Sequence, residues 1–352
     1  MAKAEKITVD DLQEKYLDKI LKQFGDAIVQ EDAVVEAIST GSLALDASIG
    51  IGGVPRGRFT EIYGPEGSAK TTIGLTMSMN VIENGGRVLY IDAELMLSYD
   101  TIKLMLGKAM DPSKFILLHP ETAEEALMVA ETLMESGDID LVVVDTVAAM
   151  EPKAERAKEL DEFTVGEISR LLPKFFRKDS ILVKKSNVAF VFLNQVRDKV
   201  GSYVQGYNSP GGHALKHHCS VIIALTKGET TKIGTEAVGI KAKFVIRKNK
   251  LAPPFRSFTI PVTFGKGIDY HVDVLEFCEM LGVVQKAGSY YKFNDNTIGQ
   301  GRFAAAEFLE GNPDILKQII DQTYAILSKD KSVIIEDTED DFAESSEETV
   351  SV

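Results

Sequence analysis

The chain has 352 residues, 44% of them hydrophobic, and a formal net charge of −14; it can bury a large core and is expected to hold more than one domain. Its two cysteines, Cys219 and Cys278, lie far apart, which excludes a disulfide scaffold and a cysteine-rich metal site and suits a reducing cytosol. A charged opening with no apolar region after it argues against a secretory signal. The longest apolar runs, such as 141–144, have strand length and not membrane-span length, so no membrane partner is expected.

Thr8-Val9-Asp10-Asp11 has the form of a capping box, and Leu12, Tyr16, Ile20, Leu21 and Phe24 follow at helical spacing. This predicts an amphipathic helix, packed either on its own domain or, as an arm, on a neighbour. From about 38 to 267, strands alternate with helices. Residues 58–63, 87–92, 140–145 and 187–193 read as strands, and 71–79, 123–135 and most of 163–185 as helices. Near-continuous apolar strands mark a mostly parallel sheet covered by helices, an α/β architecture. Segments 220–225, 240–247 and 256–264 have no long helices between them, so the sheet is expected to end in an antiparallel or mixed region. From 268 a smaller α/β piece follows, with helices over 273–281, 303–309 and 313–327 and strands at 290–293 and 298–301.

Charge is segregated along the chain. Residues 336–352 carry eight acids and no base, and the remainder carries only −6; such a block is a solvating tail. Arg170, Lys174, Arg177, Lys178, Lys184 and Lys185 share one segment with the single acid Asp179, and Arg247, Lys248 and Lys250 form a second basic cluster. His217-His218 lacks a partner ligand cluster at metal spacing and reads as an interface or core pair.

Between the first core strand and its helix lies Gly64-Pro65-Glu66-Gly67-Ser68-Ala69-Lys70-Thr71-Thr72. A glycine-rich turn there aims backbone N–H groups and the positive helix end at an anion. Lys70 would reach the β/γ-phosphates of a nucleotide and Thr71 would ligand Mg²⁺. Ala69 stands where G-x-x-x-x-G-K-[ST] has its last glycine. At φ > 0 its Cβ costs roughly 1–2 kcal/mol, whereas in a helical conformation it is harmless. Asp145, at the end of a buried strand, either supports the metal or caps the next helix. Glu94, just past another strand, is either the base that activates a hydrolytic water or a cap. Asn194-Gln195 closes a further strand, where an amide can sense a γ-phosphate. The stretch 196–212 is long, dotted with glycine and without periodicity. It carries Arg197, Lys199, Tyr203 and Tyr207, bases for phosphates and rings for nucleobases.

Several strings together resemble the bacterial RecA recombinase family. They are Ile38-Ser39-Thr40-Gly41-Ser42, Glu61-Ile62-Tyr63-Gly64-Pro65-Glu66, Ile91-Asp92-Ala93-Glu94 and Val143-Val144-Asp145-Thr146. Leu193-Asn194-Gln195-Val196-Arg197, Gly211-Gly212-His213-Ala214-Leu215-Lys216, Lys248-Asn249-Lys250-Leu251-Ala252-Pro253-Pro254-Phe255 and Gly299-Gln300-Gly301 extend the likeness. It is collinear from about residue 12 to the end.

The resemblance implies a RecA-like P-loop ATPase core (38–267), an N-terminal helical oligomerisation arm (1–37), a small C-terminal α/β domain (268–330) and an acidic disordered tail (331–352). It implies a DNA-dependent ATPase that forms helical filaments on single-stranded DNA, with ATP at the protomer interface. Such a protein pairs that strand with homologous double-stranded DNA in recombination and repair. By the same resemblance Lys70, Thr71 and Asp145 serve ATP and Mg²⁺, Glu94 activates water, and Gln195 senses the γ-phosphate. Lys248 and Lys250 would cross to the neighbour's ATP, and Phe264-Gly265 would touch adenine from that neighbour. Arg197, Lys199 and Val200, with Gly211 and Gly212 closing the loop, would meet DNA. A first DNA loop, 155–165, would end at Val165, with Arg170 and Arg177 on the helix behind it.

The chain also departs from the family pattern. Ala69 replaces glycine, Leu95-Met96-Leu97-Ser98-Tyr99 lacks the acid expected near adenine, and Phe264 stands for tyrosine. His217 fills an aromatic interface position, and Lys158 and Asp161 replace loop glycines. The drift suggests a divergent member encoded by a virus or plasmid, acting in the cytoplasm, the host's if phage-encoded. The rival readings are a RecA-like hexameric helicase or motor, and a DNA-binding filament scaffold whose ATPase has decayed through Ala69.

A tethered polyanion competes for basic DNA contacts at high effective concentration and repels duplex until ions screen it. Deleting 336–352 should therefore strengthen duplex binding, most at low ionic strength, with folding little changed. Titrations of full-length and truncated protein across a salt series check this; superimposable low-salt curves would leave only a solubility role.

Overall fold

The computed structural model describes residues 34–157, 166–196 and 212–329, together with Lys19 and Gln23. Residues 1–35 form one unit and 36–352 another. Lys19 and Gln23 are helical; the rest of the expected N-terminal helix, the 196–212 loop from Arg197 to Gly211, residues 158–165 and the acidic tail lie outside the described residues. Among the described residues no helix is long and apolar enough to cross a membrane.

The second unit opens with β1 (Ala37–Ile38), α1 (Leu43–Ile49), β2 (Val54–Pro55) and β3 (Arg58–Gly64). The loop after β3 leads into α2 (Lys70–Glu83), β4 (Val88–Asp92), α3 (Tyr99–Leu106), β5 (Phe115–Leu118), α4 (Ala123–Ser136) and β6 (Leu141–Asp145). Next come α5 (Lys153–Arg156), α6 (Ile168–Ser186), β7 (Ala189–Gln195), α7 (Gly212–His218) and a long hairpin, β8 (Val221–Ile233) and β9 (Glu236–Asn249). β10 (Ser257–Thr263) and β11 (Gly267–Ile268) end the main sheet. Then follow α8 (Tyr270–Met280), β12 (Gln285–Ala287), β13 (Tyr290–Phe293), β14 (Asn296–Gln300), α9 (Arg302–Gly311) and α10 (Pro313–Lys329).

The nine-stranded sheet has the order β11-β10-β9-β8-β3-β7-β6-β4-β5. From β8 to β5 neighbouring strands are parallel, and β9, β10 and β11 are antiparallel. Period-two alternation sorts the apolar runs onto two faces. Leu141, Val143, Val191 and Leu193 join one core cluster with α1 and α2; Val142, Val144, Phe190 and Phe192 join the other with α4 and α6. In the second, Phe59 sits edge-on to Phe176 at 4.8 Å, and His218 stacks on Phe176 at 4.6 Å. Aromatic pairs of this kind add about 0.5–1.5 kcal/mol each beyond their burial. His218 is thus a core partner, as the reading of the His217-His218 pair allowed.

Several elements differ from the sequence reading. β8 and β9 extend well beyond 220–225 and 240–247, because the polar run after Leu225 pairs as an antiparallel ribbon that needs no apolar signal. Gly234, at φ 63, makes the tight turn between them. α1, α3 and β5 were not anticipated; all three are short, and α1 and α3 are set by local caps. Ser42 and Ser98 accept backbone N–H bonds at the helix starts, and Gly50 and Gly107 close them at φ 89 and 67. α2 carries Gly74 in its interior, where glycine is less favourable than alanine by roughly 0.5–1 kcal/mol.

The C-terminal elements attach to the core through buried carboxylates. Ser42 Oγ donates to Asp273 Oδ1 at 2.8 Å, and the Ala44 N–H donates to Asp273 Oδ2 at 3.2 Å. Asp46 accepts from Ser39 Oγ at 2.6 Å and from Thr40 Oγ1 at 2.7 Å. Burial pushes both carboxyls up to about 7, and Asp46 raises Asp273 further. A carboxyl with a raised pKa in the fold stabilises it most below its unfolded value, and that contribution is lost as pH rises through about 7. Asp273→Asn keeps one oxygen to accept from Ser42 or from the Ala44 N–H, loses the other acceptor at every pH, and cannot ionise. Its stability relative to the parent should rise from pH 5 to pH 7 by up to about 1.4 kcal/mol per pH unit, measured by chemical unfolding; parallel curves would refute the assignment.

Candidate active site

In-register parallel pairing brings several strand ends to one edge. Gly64 pairs with Gln195, Leu193 with Asp145, and Asp145 with Asp92. The carboxyl edge of a parallel sheet is where α/β folds build their sites. Here it borders a cavity of about 280 Å³. Glu66, Gly67, Ala69, Lys70, Thr71, Thr72, Glu94, Asp145, Thr146 and Gln195 line its polar end, and Met105, Ile240, Val262 and Phe264 line the other. Ile240 and Val262 are a direct cross-strand pair, so one ladder position supplies much of the apolar wall. A polar end rich in loop backbone beside an apolar slot suits a phosphorylated molecule with a flat hydrophobic group.

The glycine-rich loop lies, as expected, between a strand and a helix. Gly64 ends β3, and Gly67 takes φ 72 with open space where a side chain would project. Lys70 is buried and donates to the carbonyls of Gly64 at 2.9 Å and Pro65 at 2.7 Å, folded over the loop. Desolvation lowers its pKa, against the pull of Asp145, Glu94 and Glu66. Ser68 Oγ braces the loop by donating to the Pro65 carbonyl at 2.8 Å.

Asp145 is the hub. Its Oδ2 accepts from Thr71 Oγ1 at 2.8 Å and from the Tyr90 hydroxyl at 2.7 Å. Burial lifts its pKa to about 6, the two donors lower it, and Glu94 and Asp92 raise it. Glu94 does not cap a helix: α3 starts five residues on, capped by Ser98. Instead Glu94 Oε1 accepts from Gln195 Nε2 at 2.8 Å and from Thr146 Oγ1 at 3.1 Å. Thr71, Asp145 and Glu94 offer only oxygen donors, the set that hard divalent cations prefer, so the residues fit Mg²⁺.

Other expected residues lie elsewhere. Phe264 lines the cavity of its own chain and is also exposed. β10 delivers it, since Phe264 lies two residues beyond Val262 on the same side of the strand line. Gly265 takes φ 75. Lys248 and Lys250 are not at this cavity. Lys248 Nζ donates to the carbonyls of Lys216 and His217, closing the C-terminal end of α7, a favourable place for a cation. Arg170 and Arg177 are exposed on α6, Arg170 paired with Glu167 at 3.0 Å. Gly212 begins α7. Val165, Arg197, Lys199, Val200 and Gly211 lie outside the described residues. Sequence reading missed Tyr90 and Thr146, because a tyrosine within an apolar strand carries no signal of its partner.

A larger open groove lies between β9, β10 and the C-terminal elements, but its cations Lys241 and Arg302 are tied to Glu276 at 2.9 and 2.7 Å and Lys286 lies 3.7 Å from Glu279. It lacks a phosphate loop, so size does not locate the chemistry.

Ala69 settles one open alternative. It is the N-cap of α2 with φ 70 and ψ 17, left-handed, and its side chain makes no cap. The costly reading therefore holds, at about 1–2 kcal/mol. Ala69→Gly should raise stability by about 1 kcal/mol and leave ATP affinity within about tenfold. Thermal unfolding and nucleotide titration check both; a stability loss would show that the loop relaxes the strain.

Residues 6–269 match the RecA N-terminal domain family and residues 272–327 the RecA C-terminal domain family. Protein RecA of Thermus aquaticus is 42% identical over 313 residues, covering 87% of this chain and 91% of that protein. Protein RecA of Thermus thermophilus is 40% identical over 335 residues, 93% of this chain and 97% of that protein. Among solved structures, the crystal structure of the RadB recombinase is similar at a TM-score of 0.49 and 27% identity, over 66% of this chain and 98% of that one. With both domain families matched and such identity over nearly its full length, the chain belongs to the RecA family and is an ATP-dependent DNA recombinase and DNA-dependent ATPase.

Proposed function

We propose that the cavity binds ATP with its phosphates on the 64–72 loop and its base against Met105, Ile240, Val262 and Phe264. Lys70 meets the β/γ-phosphates. Thr71 and Asp145 hold Mg²⁺, which supplies charge neutralisation on the phosphate oxygens. Glu94 accepts the proton of the attacking water.

The observation that carries this reading is the bond from Gln195 to Glu94 at 2.8 Å. It joins the base to the last residue of β7, one position before the 196–212 segment begins. With a γ-phosphate present, the Gln195 amide turns to it and releases Glu94 to hold water. Hydrolysis removes that partner, and the amide returns to Glu94. The stretch that follows Gln195 thereby senses nucleotide state.

In this proposal Arg197, Lys199, Val200, Gly211 and Gly212, with Val165, Arg170 and Arg177, hold single-stranded DNA by backbone charge and base contacts, nearly independently of sequence. Protomers stack as a helical filament with Lys248 and Lys250 reaching the neighbour's ATP, and homologous duplex is sampled by base pairing. The division into 1–37, 38–267, 268–330 and 331–352 and a cytoplasmic location belong to the same proposal. The decayed-scaffold alternative is disfavoured by the intact set of Lys70, Thr71, Asp145 and Glu94 around one cavity.

Lys70→Ala should abolish ATP hydrolysis while the fold survives. Glu94→Gln keeps an oxygen to accept from Gln195 and Thr146 but removes the base. It should bind ATP and DNA and form filaments with turnover lowered by about 10²–10⁴. ATPase assays with and without single-stranded DNA, alongside electron microscopy, check both; filament loss in Glu94→Gln would make Glu94 structural.

A further inference from the structure

Tyr90 has no exposed surface and sits within β4 between apolar neighbours. Its hydroxyl donates at 2.7 Å to Asp145 Oδ2, the same oxygen that accepts from Thr71 at 2.8 Å. Where α2 passes closest beside the phenol ring's hydroxyl it carries Gly74. A Cβ on Gly74 would stand 3.2 Å from the Tyr90 hydroxyl, 3.0 Å from Leu193 Cδ1 and 3.3 Å from Val143 Cγ1. Gly74 lies mid-helix and is not among the residues with positive φ, so no backbone conformation demands glycine there. Space does.

We propose that Tyr90 is a positioning residue for the divalent cation, fixing the Asp145 carboxylate in the orientation in which it meets the nucleotide-bound metal, and that Gly74 is the gap that admits its hydroxyl. The inference rests on reading Asp145 as support for that metal. A carboxylate turns easily about its terminal bond, because that torsion is broad and roughly two-fold. One donor can follow such a turn. Two donors from different elements, α2 and β4, converging on one oxygen cannot both follow it. Thr71 is also the residue expected to turn a lone pair to the cation, so the anchor that stays with Asp145 throughout is the one on β4. Hydrogen bonds to charged groups are the stronger kind, and this one lies in a dry interior.

The simpler possibility is that Asp145 only satisfies a core hydroxyl, and metal affinity separates the two. Mn²⁺ is titrated into the protein at saturating ADP, with free ion followed by its electron paramagnetic resonance signal, for the parent, Tyr90→Phe, Gly74→Ala, the double variant and Asp145→Asn. Tyr90→Phe should weaken Mn²⁺ binding about tenfold with the melting temperature within a few degrees of the parent. Gly74→Ala, whose methyl crowds the hydroxyl, should weaken it in the same direction. The double variant should then bind Mn²⁺ about as Tyr90→Phe does, the non-additivity expected of residues acting through one contact. Parental affinity in Tyr90→Phe beside a clear loss in Asp145→Asn would overturn the inference while leaving the site intact. Full additivity in the double variant would overturn the pairing of Gly74 with Tyr90. Parental affinity in Asp145→Asn would remove the metal reading itself, and this inference with it.

Discussion

In-register parallel pairing of β3, β7, β6 and β4 is what the site depends on. Side chains at strand ends cannot be moved independently in such a ladder: a slip of one residue sends every side chain to the opposite face. With Gly64 opposite Gln195 and Asp145 opposite Asp92, the loop, the Asp145 carboxylate and the amide at the end of β7 are set by the same hydrogen bonds that hold the core. Val142, Val144, Phe190 and Phe192 then lock the register from one face, and Leu141, Val143, Val191 and Leu193 from the other. A precise site thus follows from an ordinary apolar core.

What the core makes rigid, the site makes costly. Ala69 holds a left-handed conformation that its Cβ opposes. Lys70 and Asp145 are buried with their charged forms disfavoured by desolvation. Each feature raises the free energy of the protein without nucleotide, and in the proposed complex a polyanion and its cation would relieve the two buried charges in part. Lys70 would gain phosphate in place of the two carbonyls it now meets, and Asp145 would gain a positive partner. Binding and stability are therefore coupled, since anything that binds only the folded state stabilises it.

Much of this was legible in the sequence because strand-end chemistry leaves a local mark. An apolar run ending in Asp145, a second ending before Glu94 and a third ending in Gln195 each announce an edge, and the loop with Lys70-Thr71 announces what the edge faces. Relations set by register or by turns were not legible. That Tyr90 meets Asp145 follows from the β4–β6 pairing, and that Ile240 meets Val262 follows from the β9–β10 pairing; neither spacing is visible along the chain. That Phe264 also lines the cavity of its own chain was not legible, because sequence alone does not say that β10 folds back beside β9. The conformation of Ala69 stayed open for a similar reason, because only the folded loop fixes the sign of φ.

The stretch between Gln195 and Gly212 is bracketed by groups with two possible partners each. At its start, Gln195 bonds Glu94 in this structure and is proposed to bond a γ-phosphate. At its end, α7 is closed by Lys248 across the Lys216 and His217 carbonyls, and Lys248 is the residue proposed to reach the neighbouring ATP. Desolvation and the nearby charge of Lys250 already lower the Lys248 pKa, so an external anion is a competitive partner for it. In the proposed filament, one nucleotide would act on the front bracket of its own chain and the next protomer's nucleotide on the rear bracket.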